Sequence, residues 1–246
     1  SPLCHGFRCD MAMLVMKEVF SKTWEECLLE GAAVDEEFWP LVTRKSSPTA
    51  EPMIWIAEAY WGLEEELLRQ GFGFVYDKPF YDALLNRDVR GLKSVLSLDM
   101  ERQQRRLRFL ENHDEERAAH AFGPDRIRSA MVVHATVPGM RLWHHGQFQG
   151  SRLRVPVQLR RRPHEPVDRD IQAFCEILLR EVDQPVFHQG RWRMCGVTGW
   201  PDNPSWENLL AWSGKHCEER RLVIVNPSSS PAQGYVTLPE GWFSAG

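Results

Sequence analysis

The chain has 246 residues, 43% of them hydrophobic and 26% charged, with a formal net charge of −4. That length supports a sizeable core in one large domain or two smaller ones, and the charge leaves no basic footprint for nucleic acid. No apolar run approaches the roughly 18 residues of a membrane helix, and six cysteines without a Cys-x-x-Cys pair fit neither a zinc site nor a disulfide framework.

Reduced, mostly buried thiols and a cytoplasmic location are the expectation. The first residues, Ser-Pro-Leu-Cys-His, carry neither an initiator Met nor a signal-peptide pattern, and upstream sequence is expected. The first strand candidate, Gly6-Phe7-Arg8-Cys9-Asp10, ends on an acid. Met16, Val19, Phe20, Trp24 and Cys27 or Leu28 then recur at helical spacing and predict a helix over 11–30. Residues 40–52 have loop chemistry. A second strand at 53–57 ends on Glu58, a short helix covers 63–70, and 71–76 reads as a third strand. Helical pieces fill 79–106; the charged run 101–108 predicts a solvated helix face.

Leu107, Phe109 and Leu110 enter a further strand whose polar tip is Asn112-His113-Asp114. A short apolar run closed by functional groups is how a buried parallel strand looks where it reaches a site. Pro124 opens the next helix at a favoured first-turn position. Residues 140–143 form the fifth strand candidate, ending at His144-His145. An amphipathic helix follows over 167–182, with Asp168 or Asp170 near its start. From about Pro185, short β runs (191–197, 209–213, 222–225, 235–238) are separated by Gly, Pro, Asn and Ser, which is the pattern of an antiparallel module.

The expected fold is therefore α/β: a parallel sheet with crossover helices over 1–183 and a small antiparallel β domain over 184–246. Acids at consecutive strand ends favour a TIM barrel over an open sheet, although five units cannot close eight strands. Arg8 and Asp10, two apart in a strand, share a face. The pair reads as an ionised nucleophile held by a guanidinium or as a structural ion pair. Glu58 ends an otherwise apolar strand, the setting a general acid needs near neutral pH, or is simply the first polar residue after it. Asn112-His113-Asp114 reads as a turn, as substrate hydrogen-bonding groups or as a metal pair without a recognisable third ligand. Tyr60, Trp61 and Trp143 beside these tips are candidates for stacking on sugars or for core packing, and most of the ten Trp are expected in the core. Together, an acid beside Arg, an acid in an apolar setting and an acid beside His are the parts of a retaining glycosidase, whose two working carboxylates lie roughly 5 Å apart.

At these residues the chain resembles the α-amylase superfamily, glycoside hydrolase family 13. Gly6-Phe7-Arg8-Cys9-Asp10 matches its Gly-x-Arg-x-Asp motif, Ile56-Ala57-Glu58-Ala59-Tyr60-Trp61 looks like its acid/base segment, and residues 109–114 match its Phe-x-x-Asn-His-Asp motif. Residues 138–147 resemble the stretch around the eighth barrel strand, and the tail resembles domain C. The resemblance implies a partial (β/α)8 barrel, about strands 4–8, followed by a small β-sandwich. It implies Asp10 as nucleophile, Glu58 as acid/base, and Asp114 with His113 gripping the hydroxyls of a distorted sugar, with Arg8 positioning Asp10. The implied substrate is an α-linked glucose oligomer or glucan, handled with retention and without a cofactor; any calcium-binding insert would lie upstream. Many members carry Lys-His where this chain has Met13-Leu14, and the family's Asp-x-x-x-Asn-His segment is absent. A C-terminal part, inactive and weakly stable alone, is therefore the expectation. The alternative is a non-catalytic sugar-binding or interaction protein on the same scaffold.

Overall fold

The computed structural model describes residues 4–27, 36–45 and 53–242. By internal contacts the chain divides into two compact units, Ser1–Lys78 with Gln104–Leu107, and Pro79–Gln103 with Arg108–Gly246. The ends of two predicted segments, 28–30 of the first helix and 46–52 of the loop, lie outside the described residues.

The first unit is built on short parallel strands, β1 (Gly6–Cys9), β2 (Ile54–Ala57), β3 (Phe74–Tyr76) and the start of β4 (Arg106–Arg108). They pair in chain order, with Cys9 opposite Ala57, Ala57 opposite Val75, and Val75 opposite Arg106. Helices α1 (Lys17–Thr23), α2 (Phe38–Lys45) and α3 (Glu64–Arg69) lie between the strands. The expected helix over 11–30 is broken by 3₁₀ turns at Ala12–Val15 and Glu25–Cys27. The expected loop over 40–52 begins instead with α2: Pro40 falls in its first turn, where a missing N–H costs nothing. Buried Trp39 fixes that helix, donating Nε1–H to the Ala12 carbonyl at 2.7 Å and meeting Phe72 edge-on. In α3, Glu64, Glu65 and Glu66 occupy the first turn and Arg69 the last, which matches the helix dipole. Met13, Met16, Ala57, Leu67, Phe72 and Val75 form the core with Trp39.

Gly6 has a packing reason: a β-carbon there would sit 2.1 Å from the Ile54 carbonyl oxygen on β2. Gly6→Ala must push those backbones apart, and we expect a loss of about 1–3 kcal/mol in denaturant unfolding.

The second unit holds α4 (Lys78–Leu85, all but its first residue), α5 (Val89–Leu96), α6 (Met100–Gln104, all but its last), α7 (Ala118–Ala121), α8 (Gly123–Thr136), β5 (Met140–Arg141), α9 (Arg169–Val182) and α10 (Pro185–His188). Asp88 and Asp168 cap α5 and α9, each side chain accepting a backbone N–H from three residues on. Leu142 N–H donates to the Arg108 carbonyl, which places β5 beside the last residue of β4. Beyond α10 come β6 (Arg191–Met194), β7 (Gly196–Thr198), β8 (Leu210–His216), β9 (Glu219–Val225) and β10 (Tyr235–Thr237). They form two antiparallel sheets, β6-β8-β9 and β10-β7. Phe80, Leu92, Ile127, Met131, Leu178 and Trp212 belong to one core cluster.

Several expectations need correction. The run 101–108 is not a solvated helix face: α6 stops at Gln104, and Arg106, Leu107 and Arg108 form a buried strand. The strand expected over 107–112 is thus the shorter β4. The thiols are all free, but Cys4, Cys27 and Cys217 are exposed and only Cys175 and Cys195 are buried. Only Trp39 and Trp212 of the ten Trp are buried, and Trp24, Trp61 and Trp200 are exposed. Among the described residues, no helix is long and apolar enough to cross a membrane.

Candidate active site

The register of β1 and β2 builds the candidate site of the first unit. Cys9 and Ala57 are paired, so the next residues, Asp10 and Glu58, leave adjacent strand ends side by side. Neighbouring strands run about 4.8 Å apart. Arg8, one pleat earlier on β1, reaches both acids: Nη1 bonds Asp10 Oδ1, and Nη2 lies 3.0 Å from Glu58 Oε1. Its Nε–H donates to the Tyr76 hydroxyl at 3.3 Å, at the end of β3. Burial opposes the guanidinium's charge, but the bonds to Tyr76 and Asp10 more than offset it and hold its pKa above the ordinary value.

The two acids differ in their surroundings. Asp10 is 76% exposed, whereas Glu58 is only 4% exposed. Glu58 does not sit in the purely apolar setting expected of it: besides Arg8, its Oε2 accepts the Met11 N–H at 2.6 Å and its Oε1 the Tyr60 hydroxyl at 3.1 Å. Met11 holds a left-handed backbone, φ 40°, directly after Asp10, and Trp61 does the same at φ 64°, three residues after Glu58. Bulky residues in that region are strained, and such strain collects at functional sites. Trp61 is 65% exposed beside that turn. Met13, where the resemblance leads one to look for a sugar contact, is fully buried in the core.

In the second unit, buried Asn112 ties the loop after β4: its Oδ1 accepts the backbone N–H groups of Asp114 and Glu115. That turn presents His113 and Asp114 together at the surface, Nε2 to Oδ2 at 3.0 Å. Asn112 and His113 line a hollow of about 220 Å³ with Arg117, His144, His145 and Arg162. Trp143 is half-buried, packed against the rings of His134 and Phe148. Among the described residues, no group of three or more His, Cys, Asp or Glu is placed to hold a metal ion.

No family model matches the sequence, and no curated protein sequence matches it either. Solved structures do. A noncanonic maltogenic α-amylase, AmyB, from Thermotoga neapolitana is 20% identical over 90% of this chain and 48% of its own, with a TM-score of 0.60. An acarbose-soaked debranching enzyme from Nostoc punctiforme is 15% identical over 92% and 48%, with a TM-score of 0.66. An α-amylase from H. orenii is 16% identical over 91% and 51%, with a TM-score of 0.63. The fold is that of the α-amylases. The chain spans about half the length of these proteins, and the α-amylase fold is matched here by its parallel strands with their helices and by the antiparallel β module.

Sequence reasoning passed over three participants on this fold. Tyr76 ends β3 as Asp10 and Glu58 follow β1 and β2, so the strand-tip pattern that found the acids also pointed to it. Glu111 stood inside a quoted motif without a role. It is fully buried; its Oε2 accepts the Ala118 N–H at 2.5 Å, and its Oε1 forms an ion pair with Arg117 Nη2 at 2.9 Å. Arg117 also meets His144 Nδ1 at 3.0 Å. Burial together with the Arg117 charge lowers the His144 pKa, so its neutral Nδ1 accepts from the guanidinium.

Burial pushes the Glu111 carboxyl up to about 7, against the pull of the Ala118 N–H and Arg117. The folded chain therefore holds this proton to higher pH than the unfolded chain does. The associated stability is present below the ordinary value of 4.5 and is lost as pH rises through about 7. We expect the melting temperature to carry a downward slope across that window, and Glu111→Gln to flatten it.

Proposed function

We propose that this chain carries the catalytic carboxylates of a retaining α-glycoside hydrolase or transglycosylase acting on α-linked glucose oligomers or glucans. The observation that carries this reading is the single Arg8 guanidinium holding Asp10 and Glu58 at paired strand ends. Retention requires two carboxyl groups roughly 5 Å apart, one to attack and one to protonate the leaving oxygen, and a single guanidinium touching both acids keeps the two carboxyl groups close together. Exposed Asp10, oriented by Arg8, suits the attack on the anomeric carbon. Buried Glu58, fixed by Met11 N–H and the Tyr60 hydroxyl, suits proton transfer to the glycosidic oxygen and then from water or an acceptor sugar. The reading gives exposed Trp61 a sugar face.

Turnover of maltooligosaccharide by the full-length protein, with the first-formed anomer followed by proton NMR, tests the proposal. The α-anomer is expected. A β-anomer, or binding without turnover that Asp10→Asn leaves unchanged, overturns it, the latter in favour of a non-catalytic sugar-binding protein. For Glu58→Gln we expect kcat to fall by about 10²–10⁴-fold on maltooligosaccharide, the usual contribution of general acid catalysis. The loss of the first step should be much smaller on an aryl glycoside whose leaving group needs no proton.

A further inference from the structure

The β6-β8-β9 sheet turns one face to the core, and its other face carries a row of cations beside exposed Leu222 and Ile224. Trp192, Met194, Trp212 and Val223 point to the core. On the other face, Arg191 stands opposite Lys215, and Lys215 opposite Arg220, in one row across three strands. Arg193 follows Arg191 one pleat along, and its partner is Ser213. Like charges directly opposite one another on a sheet are destabilising, so the Arg191–Lys215 pair is a cost to the folded chain that an anion would relieve. These cations line a hollow of about 140 Å³ closed by Pro239, Glu240 and Trp242. Among the described residues, Glu240 brings one carboxylate to a lining that also holds Arg191, Arg193 and Lys215.

We propose that this hollow binds a phosphate group carried on a sugar ring, with the phosphate at Arg191 and Lys215 and the ring against the Trp242 indole. Guanidinium groups match phosphate oxygens with paired, charge-assisted hydrogen bonds, and an indole offers a flat apolar surface with a polar edge to a ring. The site belongs to the β module and does not depend on the hydrolase reading.

Calorimetric titration of the full-length protein with glucose 6-phosphate, inorganic phosphate and glucose tests it. Glucose 6-phosphate should bind, more weakly as salt rises, and glucose should not. Arg191→Ser and Lys215→Ser should each weaken binding about 10-fold, the worth of one charge-assisted hydrogen bond. Both variants should melt at or above the parent temperature without ligand, because a repulsion has gone. Glucose 6-phosphate should raise the melting temperature of the parent and hardly that of the variants. Equal binding by parent and variants, or no phosphate ligand that binds the parent, overturns the site. Equal affinity for inorganic phosphate and glucose 6-phosphate, unchanged by Trp242→Ala, overturns the ring contact.

Discussion

On the proposed reading, Asp10→Asn is expected to lower kcat on α-linked glucose oligomers by on the order of 10⁴-fold or more in the full-length protein, because it would take away the carboxylate nucleophile of the covalent intermediate. The change is nearly isosteric, but an amide oxygen has neither the charge nor the nucleophilicity to attack an anomeric carbon. Stability should hardly move. Asp10 is 76% exposed and pairs with Arg8, which keeps Glu58 and the Tyr76 hydroxyl in the variant, and exposed substitutions of this kind stay within about 0.5 kcal/mol. Measuring kcat together with the melting temperature separates the two effects. A variant that keeps its melting temperature and retains kcat within tenfold of the parent would remove Asp10 from the chemistry.

The second large effect is on stability. Arg108→Ala should destabilise the chain by about 3–5 kcal/mol in denaturant titration, the range for truncating a large, fully buried side chain, against a total of only about 5–15 kcal/mol for a typical protein. Arg108 is fully buried. Its Nη1 donates to the Pro138 carbonyl at 2.6 Å, its Nη2 bonds the Gln103 side-chain oxygen, and the guanidinium lies 5.0 Å from the Phe80 ring centre. Truncation leaves a cavity and takes the donors away from the Pro138 carbonyl and the Gln103 oxygen. Arg108→Met refills much of the volume without restoring those donors, so it should fall between parent and Ala. A loss under 1 kcal/mol for Arg108→Ala would mean that the buried network contributes nothing to stability.

These two residues mark how far local reading goes. Asp10 was legible because an apolar strand ending on an acid is a pattern within five residues. Arg108 was misread because it stands in a run of charges whose usual place is a solvated helix face. What buries it is a set of partners at Phe80, Gln103 and Pro138, and of these only Gln103 is near it in sequence. The helix over Phe38–Lys45 was missed for a similar reason: Pro40 and the polar residues after it look like a loop, and the anchor is Trp39 reaching the Ala12 carbonyl. Glu111 gave no local signal either, since its carboxyl is defined by Arg117 and Ala118 folding back over it.

By itself the amino-acid order determined the alternation of short strands and helices, the β-rich tail, and the positions of Asp10 and Glu58 at strand tips. Each of these follows from apolar periodicity and turn chemistry within a few residues. Only the tertiary structure decided that Cys9 pairs with Ala57, which sets Asp10 beside Glu58 across 47 intervening residues and gives Arg8 both acids to hold. Register is a property of two strands that meet, and no stretch of one strand contains it.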